Sequence, residues 1–153
     1  MFDTIVVATD GSDSVERAVG VALDFAYRFD AEVHALSVID ESEISSSPEA
    51  VRDQLRDALD EQGQNAVADV AARATTNVTT AVREGRPANE IAAYAREVDA
   101  DAVATGTRGR HGENRFLIGS VAERVVRTCP VPVLTVRQLE GESGEVGDAE
   151  SAA

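Results

Sequence analysis

The chain contains no lysine: all 14 basic side chains among its 153 residues are arginine. This excludes a P-loop hydrolase, whose Gly-x-x-x-x-Gly-Lys-Ser/Thr motif places an ammonium group on the phosphates. Cys129 is the single cysteine, so an intramolecular disulfide and a cysteine-cluster metal site are excluded as well. No apolar run approaches the roughly 20 residues of a membrane span. The segment Met1-Phe2-Asp3-Thr4-Ile5-Val6-Val7 lacks the basic lead and small-residue cleavage site of a signal peptide, and a cytoplasmic location is expected. Positive charge is scarce: 28 acidic residues against 14 basic ones leave a net charge of -14. With no basic stripe to neutralise a phosphate backbone, nucleic acid is not an expected partner. Aromatics are few, at 4%, and alanines many. Asp and Glu recur through the body as well as near the C-terminus. This predicts adaptation to a salt-rich cytoplasm, where a Debye length of about 3 Å at 1 M salt screens self-repulsion. An acidic tail on an ordinary protein is the rival account.

What is present is an alternation of short β-branched runs with helical stretches, over a length that fits one domain. The alternation predicts an α/β fold on a parallel sheet. Thr4 to Ala8 reads as a strand buried on both faces. Asp13 is placed to cap the next helix, with Glu16 completing a capping box, and Val15, Ala18, Val19, Ala22, Phe25, Ala26 and Phe29 follow at helical spacing. Glu32 to Ile39 reads as a second strand and Asp40 to Ser47 as a polar loop. Ser47-Pro48 opens a long helix whose inward face is Val51, Leu55, Leu59, Ala66, Val67 and Val70, with Gly63 as a weak point. Asn77 to Val82 is a third strand, closed by Gly85. A helix starts at Pro87, Asp101 to Thr105 is a fourth strand, a short helix carries Val121, Val125 and Val126, and Val131 to Val136 is a last strand. Residues 138–153 read as an acidic disordered tail too poor in apolar side chains to fold.

Five such strands make a doubly wound sheet, which binds ligands beyond the carboxyl ends of its strands where strand order reverses. Two loops fit that position: Thr9-Asp10-Gly11-Ser12 after the first strand, and Gly106 to Ser120 after the fourth. In the second, Gly106-Thr107-Arg108-Gly109 precedes nine residues and then Gly119-Ser120-Val121. Glycines allow a ligand close to the backbone, and Gly119 and Ser120 fall where unpaired helix N–H groups form an anion site. Arg108, Arg110, His111 and Arg115 make this loop locally basic, as a polyanionic ligand requires. Plain chain-turning remains the competing account of the glycines.

Gly-x-x-Gly, nine residues, then Gly-Ser resembles the motif of the ATP-binding branch of the universal stress protein (UspA-like) family. Gly106, Gly109, Gly119 and Ser120 match it without a gap. Ile5 to Ser12 looks like that family's first strand and turn, Gly85-Arg86-Pro87-Ala88 its entry to the third helix, and Cys129 to Arg137 its final strand. The similarity covers residues 1–137. It implies a Rossmann-like, adenine nucleotide alpha hydrolase-like sheet of order 3-2-1-4-5, with ATP lying across strands one and four. By the match, Asp10 would hold the ribose and indirectly a Mg or Mn ion. Ala8, Thr9 and Val38 would line the adenine pocket, and Thr105 and Gly106 would border the sugar. Arg108, Gly109, Gly119, Ser120 and Val121 would contact phosphates, with His111 a further candidate. The family's last strand commonly pairs with its copy, so a homodimer through Val131 to Val136 is expected; an unprotected apolar edge invites the same pairing.

No base is evident to activate water and no second carboxylate accompanies Asp10, so the resemblance points to a nucleotide-dependent regulator with at most slow ATP hydrolysis. Two alternatives stay open. One is an interaction module binding AMP or no nucleotide. The other is an ATP pyrophosphatase-type adenylating enzyme, because Thr9-Asp10-Gly11-Ser12-Asp13-Ser14 partly resembles the Ser-Gly-Gly-x-Asp-Ser loop; there Asp10 replaces the glycine that wraps pyrophosphate. His34 is expected to be structural, Cys129 half-buried, and Arg86 and Arg124 surface ion-pair partners.

Overall fold

The computed structural model describes residues 1–108 and 118–139. β1 (Thr4–Ala8), β2 (Glu32–Asp40), β3 (Val78–Gly85), β4 (Ala102–Gly106) and β5 (Val133–Val136) form one sheet in the order β3-β2-β1-β4-β5. All four neighbouring pairs are parallel, the doubly wound α/β architecture that the alternation predicts. The helices are α1 (Glu16–Phe29), α2 (Glu41–Ser45), α3 (Arg52–Arg73), α4 (Pro87–Glu97) and α5 (Ser120–Thr128).

β1 is central because its side chains can be buried on both faces. Ile5, Val6 and Val7 are each no more than 1% exposed. Burying a side chain of this size contributes about 1.5–3 kcal/mol. Ile5 and Val7 pack with Val19, Ala22 and Ala26 of α1 and Val67 and Val70 of α3. Val6 and Ala8 pack with Ala88, Ile91 and Ala95 of α4 and Val125 of α5. Thus β1 leads to α1 on one face and β4 leads to α5 on the other, which opens a crevice between their carboxyl ends.

Local structure departs from expectation where side chains had a choice of partner. The Asp13–Glu16 capping box does not form. The chain instead enters α1 through a 3-10 turn at Asp13–Val15, and Ser12, at its start, makes no side-chain cap. The Ser12 hydroxyl and N–H both bond Asp10 Oδ1, at 2.6 and 2.9 Å. The stretch expected as a polar loop after β2 contains α2, because the Asp40 carboxylate accepts from Ser42 N–H and caps it. Val51 is 42% exposed rather than inward, since Glu49–Val51 is a 3-10 turn before α3. β5 starts at Val133, not Val131, because Pro132 has no N–H to donate to the ladder, although its carbonyl still accepts from Val103 N–H. Beyond β5, Gln138 Oε1 accepts the Arg17 N–H and the Arg137 carbonyl accepts Arg17 Nη1, tying the strand exit to the start of α1. Residues 140–153, most of the expected tail, lie outside the described residues.

His34 is structural as expected. It is 9% exposed, its Nδ1 lies 2.9 Å from the Tyr94 hydroxyl, and its Nε2 lies 3.4 Å from Glu32. Arg83 lies 5.0 Å from the centre of the Tyr94 ring and forks onto Glu97. Burial raises the Tyr94 pKa above its ordinary value. Tyr94→Phe leaves the His34 nitrogen unpaired, so urea denaturation at neutral pH should show a loss of about 1–3 kcal/mol.

Candidate functional site

The crevice at the carboxyl end of the sheet holds a cavity of about 360 Å³. Ala8, Thr9, Asp10, Val38, Thr105, Gly106, Arg108, Gly119, Ser120 and Val121, all singled out from the sequence, line it together. Gly109 and His111, with Arg110 and Arg115, lie outside the described residues. Four polar side chains of the described residues are buried: Thr9, His34, Ser37 and Thr105. Three of them, all but His34, line this cavity. Burying hydroxyls costs stability unless they find partners, so their concentration here marks a place built to meet polar groups.

The floor of the cavity follows from the unequal lengths of neighbouring strands. Ala8 is the last β1 residue paired with β2, opposite Leu36, and Thr9 N–H then donates to the Leu36 carbonyl at 2.9 Å. β2 continues to Asp40, paired only with β3. In a parallel ladder alternate residues present their N–H and C=O to the same neighbour. Val38 is therefore the next residue to face β1, at a level that β1 has already left. Its backbone N–H and C=O are offered side by side to the cavity, one donor beside one acceptor. The turn after β1 is committed differently. Asp10 Oδ1 holds the Ser12 N–H and hydroxyl, and Thr9 Oγ1 accepts the Gly11 N–H. The N–H groups of Gly11 and Ser12 are thus spent inside the turn.

The opposite end is formed by α5. Gly119 caps the helix, and the first intrahelical bond runs from Glu123 N–H to the Gly119 carbonyl. Helix geometry leaves Ser120, Val121 and Ala122 N–H without intrahelical partners, at the positive end of the helix dipole. The expectation that the Gly119 N–H is itself an anion donor is corrected, because that group bonds the Thr107 carbonyl. Gly119 acts by close approach instead. A Cβ there would lie 3.1 Å from Thr107 O and 3.6 Å from Arg108 Cα. Arg108 Nε is buried without a hydrogen-bond partner among the described residues. A buried charged donor left unpaired is costly, and an anion at the start of α5 would satisfy it.

Charge divides the cavity. Arg108 lines the α5 end, whereas Asp40 and Glu43 line the β2 end. At the β2 end sequence reasoning found Val38 but missed Ser37, Asp40, Glu43, Leu59, Gly63, Pro87 and Ile91. The available signal was Gly63, one turn after Leu59 on the inward face of α3. A glycine there costs a helix about 1 kcal/mol relative to alanine, and it is not a weak point. Its added Cβ would lie 3.1 Å from Val82 and 3.4 Å from Ser37 Oγ, so it lets α3 close down on β2 and β3. Among the described residues there is no cluster of three or more His, Cys, Asp or Glu able to hold a metal ion, and no helix is long and apolar enough to cross a membrane.

The chain is similar to known proteins over nearly all of this architecture. Universal stress protein MJ0531 of Methanocaldococcus jannaschii is 39% identical over 146 residues, covering 93% of this chain and 86% of that protein. The solved universal stress protein UspA from Lactobacillus plantarum superposes with a TM-score of 0.75 at 28% identity, covering 89% of this chain and 98% of the other. A universal stress protein solved in complex with cAMP superposes with a TM-score of 0.66 at 26% identity, covering 90% and 98%. The family model for the universal stress protein family matches residues 1–137. The chain belongs to the universal stress protein family.

Proposed function

We propose that this protein binds ATP in the crevice and acts as a nucleotide-dependent regulator in a stress response, with slow or no hydrolysis. The observation that carries the reading is the buried, unpartnered Arg108 Nε beside the open first turn of α5, which suits a phosphate chain. The Val38 N–H and C=O suit the paired acceptor and donor on the edge of adenine, and Thr105, Gly106 and Asp10 lie between them, where the sugar would sit. A Mg or Mn ion would arrive on the phosphates, with Asp10 acting on it indirectly. The likeness to a protein solved with cAMP supports a nucleotide ligand, and it also supports a second reading in which the resident nucleotide carries one phosphate, as AMP does. Arg110 and His111 would add to the phosphate contacts. A second copy of the chain would pair along β5, whose outer edge has no partner strand among the described residues. The acidic, lysine-free composition fits a cytoplasm rich in salt, with residues 1–137 as the folded unit and an acidic tail beyond.

Mass spectrometry of gently purified protein, followed by calorimetry with ATP and AMP in high salt, tests the reading. The expected result is a co-purifying adenine nucleotide and an ATP dissociation constant well below millimolar. Binding no tighter than millimolar sinks the nucleotide reading, and tighter binding of AMP than of ATP selects the second one. Release of pyrophosphate with an acceptor would move the protein to the adenylating class.

A further inference from the structure

The sheet ends in two edges, and the longer one is β3, eight residues against four for β5. Its outer edge has no partner strand among the described residues. Which of its groups face outward follows from the ladder. Leu36 turns its carbonyl to the β1 side, where Thr9 N–H meets it, so Ala35 and Ser37 turn their backbone groups to β3. Ala35 is in register with Thr80 and Ser37 with Val82, so those groups meet Thr79, Ala81 and Arg83. Val78, Thr80, Val82 and Glu84 therefore present their N–H and C=O away from the sheet. Natural edges are usually guarded by lysine, proline, a bulge or an outward charge, and β3 has none of these. Its register with β2 runs unbroken from Val78 to Gly85. Residues 74–82 carry no charge, in a chain that is 27% charged. The first charges along the strand are held on the body: Arg83 forks onto Glu97 of α4, and Glu84 accepts from Arg56 of α3 at 2.9 Å. Thr79 and Thr80 are exposed.

We propose that the β3 edge is an interface for a second copy of this chain, with the two strands antiparallel about a twofold axis at Thr80. The strand matches itself in that register. Thr80 faces its own twin and Val78 faces Val82, outward backbone against outward backbone, so each such pair exchanges both its N–H···O bonds. Val78 and Val82 form a β-branched cross-strand pair on the α3 face, where Val82 already packs by Gly63. Thr79 and Ala81 pair on the other face. Arg83 falls opposite Asn77 and Glu84 opposite Thr76, so no like charges meet. Each copy carries a net charge of -14, and a neutral seam is where two such bodies approach at least cost. This self-matching favours a second copy over a foreign extended peptide, which needs no symmetry. The interface is separate from the one proposed along β5. Two different twofold contacts on one subunit do not close on themselves, so their joint use would link subunits into an open chain.

Sedimentation of the full chain over a concentration series, in high and low salt, reads the pairing. Thr80→Pro should weaken one association step by about tenfold, because both N–H···O bonds at the axis are lost. Its N–H points away from β2, so the internal ladder keeps its bonds and the protein folds. Thr80→Lys sets two like charges face to face and should weaken the same step, more so in low salt. Neither change touches β5, whose association should persist. Cross-linking fixes the register. In a Cys129→Ser background, Thr80→Cys should form a disulfide between copies under mild oxidation, since facing Cα atoms in such a pair are about 5.5 Å apart. Thr79→Cys in the same background should not, because it faces Ala81 and not its twin. Amide exchange of Val78, Thr80 and Val82 in the wild type should slow as concentration rises. Wild-type association by a folded Thr80→Pro protein, or no cross-link through Thr80→Cys, overturns the proposal. Slow exchange of these amides in the monomer would give the edge to another segment of this chain, and fast exchange at every concentration would leave it to a foreign strand. Either result also overturns the pairing of two copies.

Discussion

Gly119→Val is expected to weaken ATP binding by about 30-fold or more in a protein that still folds. Gly119 has φ -71° and ψ 159°, extended values open to any residue, so valine brings no backbone strain. The effect is purely one of space. Its Cβ would start 3.1 Å from the Thr107 carbonyl oxygen and 3.6 Å from Arg108 Cα, and two γ-methyls extend beyond it. The Gly119–Thr107 backbone bond holds the end of β4 against the start of α5, so relief must come by parting them. Overpacking of this kind costs about 1–3 kcal/mol, and every 1.4 kcal/mol passed to the bound state is about tenfold in affinity. Arg108 and the three free N–H groups of α5 would then no longer converge on one anion. Gly119→Ala, with no γ-methyls, should lose less. Calorimetry with ATP, alongside circular dichroism to establish folding, reads the effect, and wild-type affinity in a folded Gly119→Val protein would remove the assignment of this loop.

Arg108→Met should lower ATP affinity by about 10- to 100-fold, the worth of one charge-assisted hydrogen bond at about 1.5–3 kcal/mol. Adenosine, which lacks phosphates, should bind both forms alike. Methionine retains most of the side chain's apolar length, so packing beside β4 survives. Stability in urea should be unchanged or higher, because the buried Nε no longer goes without a partner in the ligand-free protein. Arg108→Lys should not restore affinity, since an ammonium is a point charge without the planar fork. Equal losses for ATP and adenosine would show that Arg108 acts through general packing, and the phosphate role would have to be given up.

Much of the architecture is legible in sequence because its determinants are short in range. Ile5-Val6-Val7 and Val103-Ala104 are continuous apolar runs, and only a strand covered on both faces buries every side chain of such a run. Pro87 starts α4 at the position where its missing N–H costs nothing. The errors have a common origin, in that one group had two possible partners. Asp13 and Glu16 could have closed a capping box, but Asp13 is drawn into a 3-10 turn and α1 starts only at Glu16, while Asp10 takes the hydroxyl and N–H of Ser12. Asp40 reads as a loop residue until its carboxylate is seen capping α2. The Gly119 N–H reads as an open donor until Thr107 is brought across to accept it.

The site divides along the same line. The turn after β1 and the glycines around α5 each announce themselves within a few residues, because a tight turn or a helix start must be encoded locally. The walls at the β2 end do not. Ser37, Gly63 and Ile91 come from a strand and two helices that meet only when the sheet is wound, and only the helical Gly63 stands out in its own segment. The sequence by itself determined the chemistry available: no lysine, few aromatics, an acidic surface, and a glycine-spaced loop carrying an arginine. The tertiary structure decided which groups were left over once the fold had satisfied itself, because a hydrogen bond made elsewhere in the chain removes a donor that local reading counts as free. The Val38 backbone, Arg108 Nε and the first turn of α5 are what remained, and they face one cavity.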